Sequence, residues 1–292
     1  MNNSNLSESL LTIGMPVFNG EKTISKSIDS LLKQTFDDFK LIISDNASTD
    51  STQKICEEYA KKDNRIQYIK QKKNIGQLSN FNFLLNNSTT KYFMLAADDD
   101  IWDPHFVKKN LDVLESDENI VGSIGKVTFE LDFFKNKQNI ENHSVHRVLV
   151  LNIFGTYEDR VKTYLKLNQG TSLYAIYRTT KLQKSTVFYE YDNLEDLQIL
   201  LNVLEFGNLN VIDEFLLYRS PHGSSSKSFI LTSLNKKVRI SKIIFPYFSI
   251  TLFCLKKLGT TFFLKNLFLF LKLNANGSYL IILDALKIIK NS

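Results

Sequence analysis

The stretch YFMLAADDDIWDP, residues 92–104, sets three consecutive aspartates directly behind an apolar run. Such a run is typical of a buried strand, and Asp103 followed by Pro104 is typical of the first residues of a helix. Three adjacent carboxylates repel one another, and a divalent cation is the usual compensation. The stretch therefore predicts a strand, a cation site at its end and a helix. The alternative is a solvated acidic turn that only caps the helix.

The same order of strand, polar turn and helix recurs over residues 1–130. We predict strands at 11–15, ending at Pro16, and at 40–44, 65–70 and 91–96, with helices at 22–33, 51–62, 77–86 and 104–114. This alternation is typical of an α/β fold with a mostly parallel sheet and helices on both faces. Ligands bind such sheets beyond the carboxyl ends of the strands, which is where the polar clusters of this sequence fall.

Further elements are predicted beyond residue 120, with longer connections between them. We expect a helix at 155–168, a strand at 173–178, a leucine-rich helix at 195–205 and short strands at 208–212 and 215–219. Residues 131–146 indicate a variable loop or an insertion.

Two other polar clusters follow predicted strands. In ISDNASTDST, residues 43–52, Asp45 comes directly after a strand, where its carboxylate can accept the imide N–H of uracil or thymine or serve the fold alone. Asp50 suits a helix cap or a first-turn acid. MPVFNGEKT, residues 15–23, is a strand–loop–helix turn whose backbone can grip a base or a ribose.

Acidic and basic side chains recur in the second half of the chain. In NLEDLQILLNVLEFG, residues 193–207, Glu195 and Asp196 open an apolar helix. Acids there ordinarily complement the helix dipole, but one of them can instead act as a general base. YRSPHGSSSKS, residues 218–228, adds Arg219 and His222, and a histidine near a carboxylate site can ligate a metal or contact phosphate.

Composition and charge limit the partners of the chain. Its 292 residues, 43% of them hydrophobic, suit one large domain or one domain plus an appendage. Residues 235–292 carry ten Lys or Arg and one acid, a charge of +9, so the total of +5 leaves −4 for residues 1–234. That distribution argues against a nucleic-acid-binding core. Two cysteines and a polar start without the pattern of a signal peptide favour the cytoplasm.

The C-terminal region is both apolar and basic. Its apolar runs, residues 243–255, 258–271 and 279–289, all fall short of the roughly 18–20 residues needed to span a bilayer. Seven phenylalanines alternate with lysines over residues 245–270, which predicts an amphipathic helix lying on an anionic membrane. A soluble helical cap on the rest of the chain is the alternative. The polar residues that break up the region include Lys256, Lys257, Lys265, Lys272 and Asp284.

Taken in order, these clusters resemble glycosyltransferase family 2. The segments 13–36, 41–52, 74–82 (NIGQLSNFN) and 95–104 resemble the family's opening strand and helix, its second-strand signature, its Asn–Gly segment and its metal-binding region. The resemblance covers residues 11–220, most closely 11–120. It implies a GT-A fold, a Rossmann-like nucleotide-binding, mostly parallel sheet flanked by helices, here with a C-terminal helical extension.

The resemblance also implies metal ligands. Ala97 breaks the strict family pattern Asp-x-Asp-Asp at its first position, but Asp98 and Asp99 match members that read Asp-Asp at the next two positions. Asp99 is then the direct ligand, Asp98 faces the ribose or a metal-bound water, and Asp100 stands behind them. His222 is a further metal candidate. The implied cofactor is Mn²⁺ or Mg²⁺.

Catalytic and donor-binding residues follow from the same resemblance. The family's catalytic base falls on Asp196, with Glu195 beside it. The implied nucleotide-sugar-binding residues are Pro16, Val17, Phe18, Asn19, Glu21, Asp45, Asn46, Asn74, Gly76, Asn80 and Asp98.

The implied activity is inverting transfer of a sugar from a nucleotide-diphospho-sugar, with UDP or dTDP favoured, to an acceptor hydroxyl. By analogy the acceptor is a saccharide or lipid-linked saccharide of bacterial surface polysaccharide or lipopolysaccharide synthesis, at the inner face of the cytoplasmic membrane. Residues 1–234 would form the catalytic domain, with a nucleotide-sugar-binding half at 1–125 and an acceptor half at 126–234. Residues 235–292 would form the basic, apolar helical region.

Two other functions compete with this interpretation. A sugar-phosphate nucleotidyltransferase should carry a glycine-rich phosphate loop after its first strand, but PVFNGEKT, residues 16–23, has a single glycine. A non-catalytic nucleotide-sugar-binding protein is less consistent with the joint presence of Asp45, Asp99 and Asp196. Release of UDP, and turnover itself, would discriminate among the three.

Overall fold

The computed structural model describes residues 9–129, 150–167, 170–185, 195–220 and 244–291, without the side chains of residues 195, 196 and 284–291. The strands are β1 Leu11–Val17, β2 Phe39–Asp45, β3 Ile66–Lys70, β4 Tyr92–Leu95, β5 Ile101–Trp102, β6 Ile120–Phe129, β7 Ile176–Arg178 and β8 Asn208–Arg219. The helices are α1 Ile24–Leu32, α2 Thr52–Lys62, α3 Gln77–Asn86, α4 Phe106–Ser116, α5 Tyr157–Leu167, α6 Thr179–Ser185, α7 Glu195–Val203, α8 Phe248–Lys265 and α9 Leu267–Asn291.

One mixed sheet joins the strands in the order β3-β2-β1-β4-β7-β6-β8-β5. The first four strands in this order pair in parallel, and β6 pairs in parallel with β8. β7 is antiparallel to both β4 and β6, and β5 is antiparallel to β8. Six of these eight strands therefore run in one direction, which confirms the predicted mostly parallel α/β sheet.

The core lies on both faces of β1, near the middle of the sheet. Leu11, Ile13 and Met15 have no exposed surface, and Thr12 is buried on the opposite face. A strand covered on both faces needs buried residues at consecutive positions, which is why its sequence reads as a continuous apolar run. The helical periodicity of α1 likewise buries Ile24 and Ile28.

β1 ends at Val17 and not at Pro16, so the predicted end of the strand was wrong. Pro16 pairs with Ser44 of β2, whereas the pairing of β1 with β4 stops at Gly14 opposite Leu95. The Gly14 carbonyl accepts a hydrogen bond from the backbone directly after β4. The backbone nitrogen of Pro16, two residues later in the strand, faces the same side of β1. Its missing N–H therefore lies beyond the β4 ladder, where a strand tolerates proline.

α4 begins at Phe106, two residues after the predicted start at Pro104. The Asp103 carboxylate accepts the His105 N–H at 2.9 Å, and the Asp103 carbonyl accepts the Phe106 N–H at 2.9 Å. Asp103 thus stabilises the turn before the helix and does not cap its first turn.

The second half departs further from the predictions. β6 was missed, and it contains residue 125, where the predicted boundary between the two halves of the catalytic domain falls. Leu173 lies in a 3₁₀ turn, Gly170–Tyr174, so the strand there is only β7. The two short strands are a single strand, β8, whose pairing with β6 shifts register beside Lys126 and leaves Asp213 and Glu214 exposed. The predicted loop at 131–146 lies outside the described residues.

The C-terminal region is helical, as predicted. α8 is kinked at Gly259, which has φ of 82°, and α9 follows it after one residue. In the part of the chain that the structure describes, no single helix has the length and apolar composition to cross a membrane. Phe248–Lys265 and Leu267–Leu283 meet that criterion only as a pair, and the pair is bent by 105°.

Candidate functional site

Reciprocal hydrogen bonds hold the loop after β1 against the loop after β2. The Glu21 N–H donates to the Asp50 carboxylate at 3.1 Å, and the Ser51 N–H donates to the Glu21 carboxylate at 3.0 Å. Asp50 also accepts the N–H of Thr52, the first residue of α2, at 3.0 Å. Asp50 therefore serves the helix terminus, as expected, and Glu21 is engaged in shaping the loop.

The residues after β1 present polar and aromatic groups at the carboxyl edge of the sheet. Phe18 is 48% exposed although Pro16 and Val17 before it are largely covered. Asn19 adopts φ of 55°, and its side-chain carbonyl accepts the Thr49 N–H at 2.9 Å. An aromatic ring exposed at this edge can stack on a nucleobase.

Asp45, at the end of β2, is completely buried. One carboxylate oxygen accepts the Ser48 N–H at 2.8 Å, and the other accepts the Tyr68 hydroxyl at 2.6 Å. Burial and the neighbouring Asp45 raise the pKa of Tyr68, so this phenol remains a hydrogen-bond donor. The structure thus gives Asp45 two protein partners, and its contact with a base stays a prediction.

Asparagine side chains connect the end of β2 to the segment before α3. The Asn46 amide donates to the Asn74 side chain at 3.0 Å, and the Asn74 oxygen accepts the Gly76 N–H at 2.9 Å. The buried Asn80 of α3 donates to the Ser44 carbonyl at 2.8 Å. The structure therefore brings Asn46, Asn74 and Gly76 together at the sheet edge, whereas Asn80 anchors α3 beneath them.

Asp98 lies behind β4 and against the loop after β1. A Cβ atom at Gly20 would come within 2.4 Å of an Asp98 carboxylate oxygen, so only glycine permits this approach. Burial raises the pKa of Asp98 to about 7, and the negative charge of Asp99 contributes to the shift. A carboxyl group whose ionisation is disfavoured by burial and by its neighbour is thus set beside the ends of β1 and β4.

Asp100 has different partners from the two acids before it. Its side chain is almost completely buried and accepts the Ser220 N–H at 3.0 Å, with the Arg219 guanidinium 3.4 Å away. Burial raises the pKa of Asp100 to about 6, although the Arg219 charge and the Ser220 hydrogen bond oppose the shift. Asp100 therefore ties β8 to the acidic turn, and its place behind the metal ligands stays a prediction.

The side chains of the predicted base and of the predicted histidine both lie outside the described structure. Within the described residues α7 spans Glu195–Val203 and contains both acids, and the residues directly before it lie outside the description. The side chains of the two acids lie outside the described part of the chain, and so does the whole of His222. Their roles stay predictions.

The acidic turn suits a cation that is shared with a ligand. Among the residues that the structure describes, no three His, Cys, Asp or Glu side chains are grouped to hold a metal by themselves. Mg²⁺ is commonly held by one or two carboxylates together with substrate phosphates and water. Asp98 and Asp99 provide such a partial set of carboxylates. A cation bound nearby would lower the raised pKa of Asp98 and so favour its ionised form. The donor set fits Mg²⁺ or Mn²⁺.

Two features of the site were missed from the sequence. The interpretation of residues 15–23 as a strand–loop–helix turn gives Gly20 no role of its own, although the approach of Asp98 leaves no room there for a Cβ atom. Tyr68, in β3, was assigned only to a strand, yet it holds Asp45 across the sheet. A glycine in a loop behind a strand could have drawn attention to the first. No local pattern marks the second, because the two residues are 23 positions apart.

Comparison with known proteins gives the family. Residues 12–186, more than half of the chain, match the model of the family described as Glycosyl transferase family 2. An uncharacterized glycosyltransferase of Haemophilus influenzae is 26% identical over 229 residues, which cover 75% of this chain and 68% of that protein. Glycosyltransferase GlyA of Streptococcus pneumoniae is 33% identical over 98 residues, 34% of this chain and 14% of GlyA. The chain thus matches only part of the length of these relatives.

Two solved structures show the same fold. S. aureus TarS 1-349 in complex with UDP has a TM-score of 0.56 at 21% identity, covering 72% of this chain and 60% of that one. The mannosyltransferase PcManGT of Pyrobaculum calidifontis, in complex with GDP-Man and Mn²⁺, has a TM-score of 0.58 at 10% identity, covering 97% and 76%. At these identities the likeness concerns the fold, which is GT-A as expected. With the family match over residues 12–186, it follows that the chain belongs to glycosyltransferase family 2.

Proposed function

We propose that this glycosyltransferase moves a sugar from a nucleotide-diphospho-sugar to an acceptor hydroxyl, with inversion at the anomeric carbon and with a divalent cation. The observation that carries the proposal is the meeting of Asp98 with Gly20 at the carboxyl ends of β1 and β4. Parallel sheets bind nucleotides at this edge. TarS and PcManGT, which share the fold, were solved with UDP and with GDP-Man and Mn²⁺.

The donor base would lie over the ends of β1 and β2. Phe18 is exposed there, and the Asn46–Asn74 pair fixes the adjacent loop. Asp45 is the proposed acceptor for an imide N–H, which favours UDP or dTDP over CMP donors, and the base would have to displace the Ser48 N–H or the Tyr68 hydroxyl from its carboxylate. Guanine also carries such an N–H.

The reaction needs one positioned base and a stabilised leaving group. Asp196 removes the proton from the acceptor hydroxyl, which attacks the anomeric carbon in line as the nucleoside diphosphate leaves. A single displacement of this kind inverts the configuration. Asp99 and Asp98 would hold the cation, which stabilises the charge of the departing diphosphate as a Lewis acid.

The acceptor is proposed to be a saccharide or a lipid-linked saccharide in bacterial surface polysaccharide or lipopolysaccharide synthesis. The support is indirect: an acceptor embedded in a membrane would match the exposed apolar face of α9 that is described below.

The donor is identified by turnover and by protection against thermal unfolding, with Mn²⁺ and each common nucleotide sugar in turn. UDP- or dTDP-sugars should raise the Tm and release the nucleoside diphosphate. Protection by CMP-sugars alone would contradict the proposal, and release of pyrophosphate in place of UDP would indicate a nucleotidyltransferase.

The base is tested with the matched pair Asp196→Asn and Glu195→Gln. Asp196→Asn should keep donor protection but lower the transfer rate about a hundredfold or more, the usual scale of general-base catalysis. Glu195→Gln should retain most of the rate. If the two results are exchanged, the base is Glu195.

A further inference from the structure

α9 has one apolar face that is already covered. Phe270 and Leu273 on this face are buried, and Gly277 packs so closely that a Cβ atom there would lie 2.6 Å from Pro246. The Asn274 side chain accepts the Tyr247 N–H at 2.9 Å on the same side. This face of α9 is therefore packed against the rest of the chain, as expected for a helical cap.

A second apolar face of α9 is uncovered. Phe268 is 80% exposed, and Leu271, Tyr279 and Ile282 are each more than half exposed. Their spacing of three, eight and three residues places them along one side of a helix. Leu264, one residue before the end of α8, is also 66% exposed. We call the four α9 residues the apolar stripe.

Positive charge flanks the apolar stripe. Lys265 and Lys272 are exposed next to it, whereas Lys257 is paired with Glu205 at 2.8 Å. Residues 235–292 contain a single acid, Asp284, and carry a charge of +9 against −4 for the rest of the chain. Phe and Leu on one face with lysines beside them are typical of helices that lie in the interface of an anionic membrane.

We propose that the apolar stripe, with Lys265 and Lys272, docks on an anionic membrane surface with α9 lying in its plane. A second copy of the chain is a poorer occupant, because pairing two such faces would bring like charges together.

The test is flotation of the full chain with vesicles of phosphatidylglycerol and phosphatidylcholine, compared with phosphatidylcholine alone. The protein should float with the anionic vesicles, less so in high salt. Phe268→Ser/Leu271→Ser/Tyr279→Ser and Lys265→Glu/Lys272→Glu should each lower the bound fraction by about tenfold or more. No donor or acceptor is present, so the result is independent of the proposed function.

Matched controls make the same changes elsewhere on the surface. Leu151→Ser/Phe154→Ser removes exposed apolar side chains, and Lys54→Glu/Lys61→Glu reverses exposed charges on α2. Both controls should float like the wild type, and circular dichroism should show all variants folded. The proposal is overturned if the wild type does not float, if stripe and control variants behave alike, or if the stripe variants only convert a dimer to a monomer.

Discussion

Asp98, Asp99 and Asp100 are consecutive residues with different surroundings. Asp98 approaches Gly20, and the charge of Asp99 helps to raise its pKa, whereas Asp100 faces Arg219 and Ser220. Asp98 and Asp99 lie in the turn after β4, whereas Asp100 comes after that turn and directly before β5. The third acid therefore contacts β8 and the residue after it, whereas the ligand role of the first two is a proposal.

The adjacent substitutions Asp99→Asn and Asp100→Asn should have opposite effects on stability. Asp99→Asn relieves repulsion with Asp98, so the Tm should stay or rise while transfer is lost. Asp100→Asn takes away a negative charge beside the largely buried Arg219, whose burial is then less compensated, and should lower the Tm relative to Asp99→Asn. Thermal unfolding and transfer assays on both variants check this.

Chelation completes the comparison. EDTA should abolish transfer by the wild type and leave its circular dichroism spectrum unchanged, and added Mn²⁺ should restore the rate. Full activity of the wild type in EDTA, or of Asp99→Asn with Mn²⁺, would contradict the role of Asp99 as a metal ligand.

At the scale of elements, the attachment of α9 depends on a glycine. A Cβ atom added at Gly277 would lie 2.6 Å from Pro246 and 2.7 Å from Tyr247. α9 can therefore approach the segment before α8 this closely because this residue has no side chain. Helix propensity alone would favour almost any other residue at this position. Close packing outweighs propensity here.

Gly277→Val should therefore destabilise the protein despite its better helix propensity. The branched side chain must displace Pro246, Tyr247 or α9, at a cost of about 1–3 kcal/mol. Asn276→Ala, at the exposed neighbouring position, is the control and should leave stability equal or slightly higher. A higher Tm for Gly277→Val, measured by calorimetry, would show that the neighbouring side chains can move aside without loss of stability.

At the scale of the whole molecule, α8 and α9 belong to the same core as the sheet. Ile250, Phe253 and Cys254 are buried in the cluster that contains β1 and β4, and Lys257 pairs with Glu205. The seven phenylalanines are divided accordingly: Phe253, Phe262 and Phe270 are buried, whereas Phe245, Phe248 and Phe268 are exposed and Phe263 is intermediate. The C-terminal helices thus pack on the rest of the chain as the cap predicts, and the membrane role of their exposed side stays a proposal.

A chain that ends at Leu234 should consequently be less stable than the full chain. Loss of several buried apolar side chains uncovers core surface, so the Tm should fall by about 5 °C or more and the dye ANS should bind. An unchanged Tm without ANS binding would mean that α8 and α9 contribute nothing to the core. Flotation is better tested with point variants, because this truncation exposes new apolar surface.

The amino-acid sequence by itself determined the alternating elements of the first half, the acidic turn behind β4 and the helical C-terminal region. These features depend on periodicity and on residues close together in the chain, which a sequence displays directly. The tertiary structure alone decided that β6 and β8 pair, that Asp45 meets Tyr68, that Asp100 lies beside Arg219 and that, over the described side chains of α9, one face is covered and another is exposed. Each of these is a contact between distant segments, whose free energy comes from burial and charge pairing in the assembled fold and leaves no local pattern in the sequence.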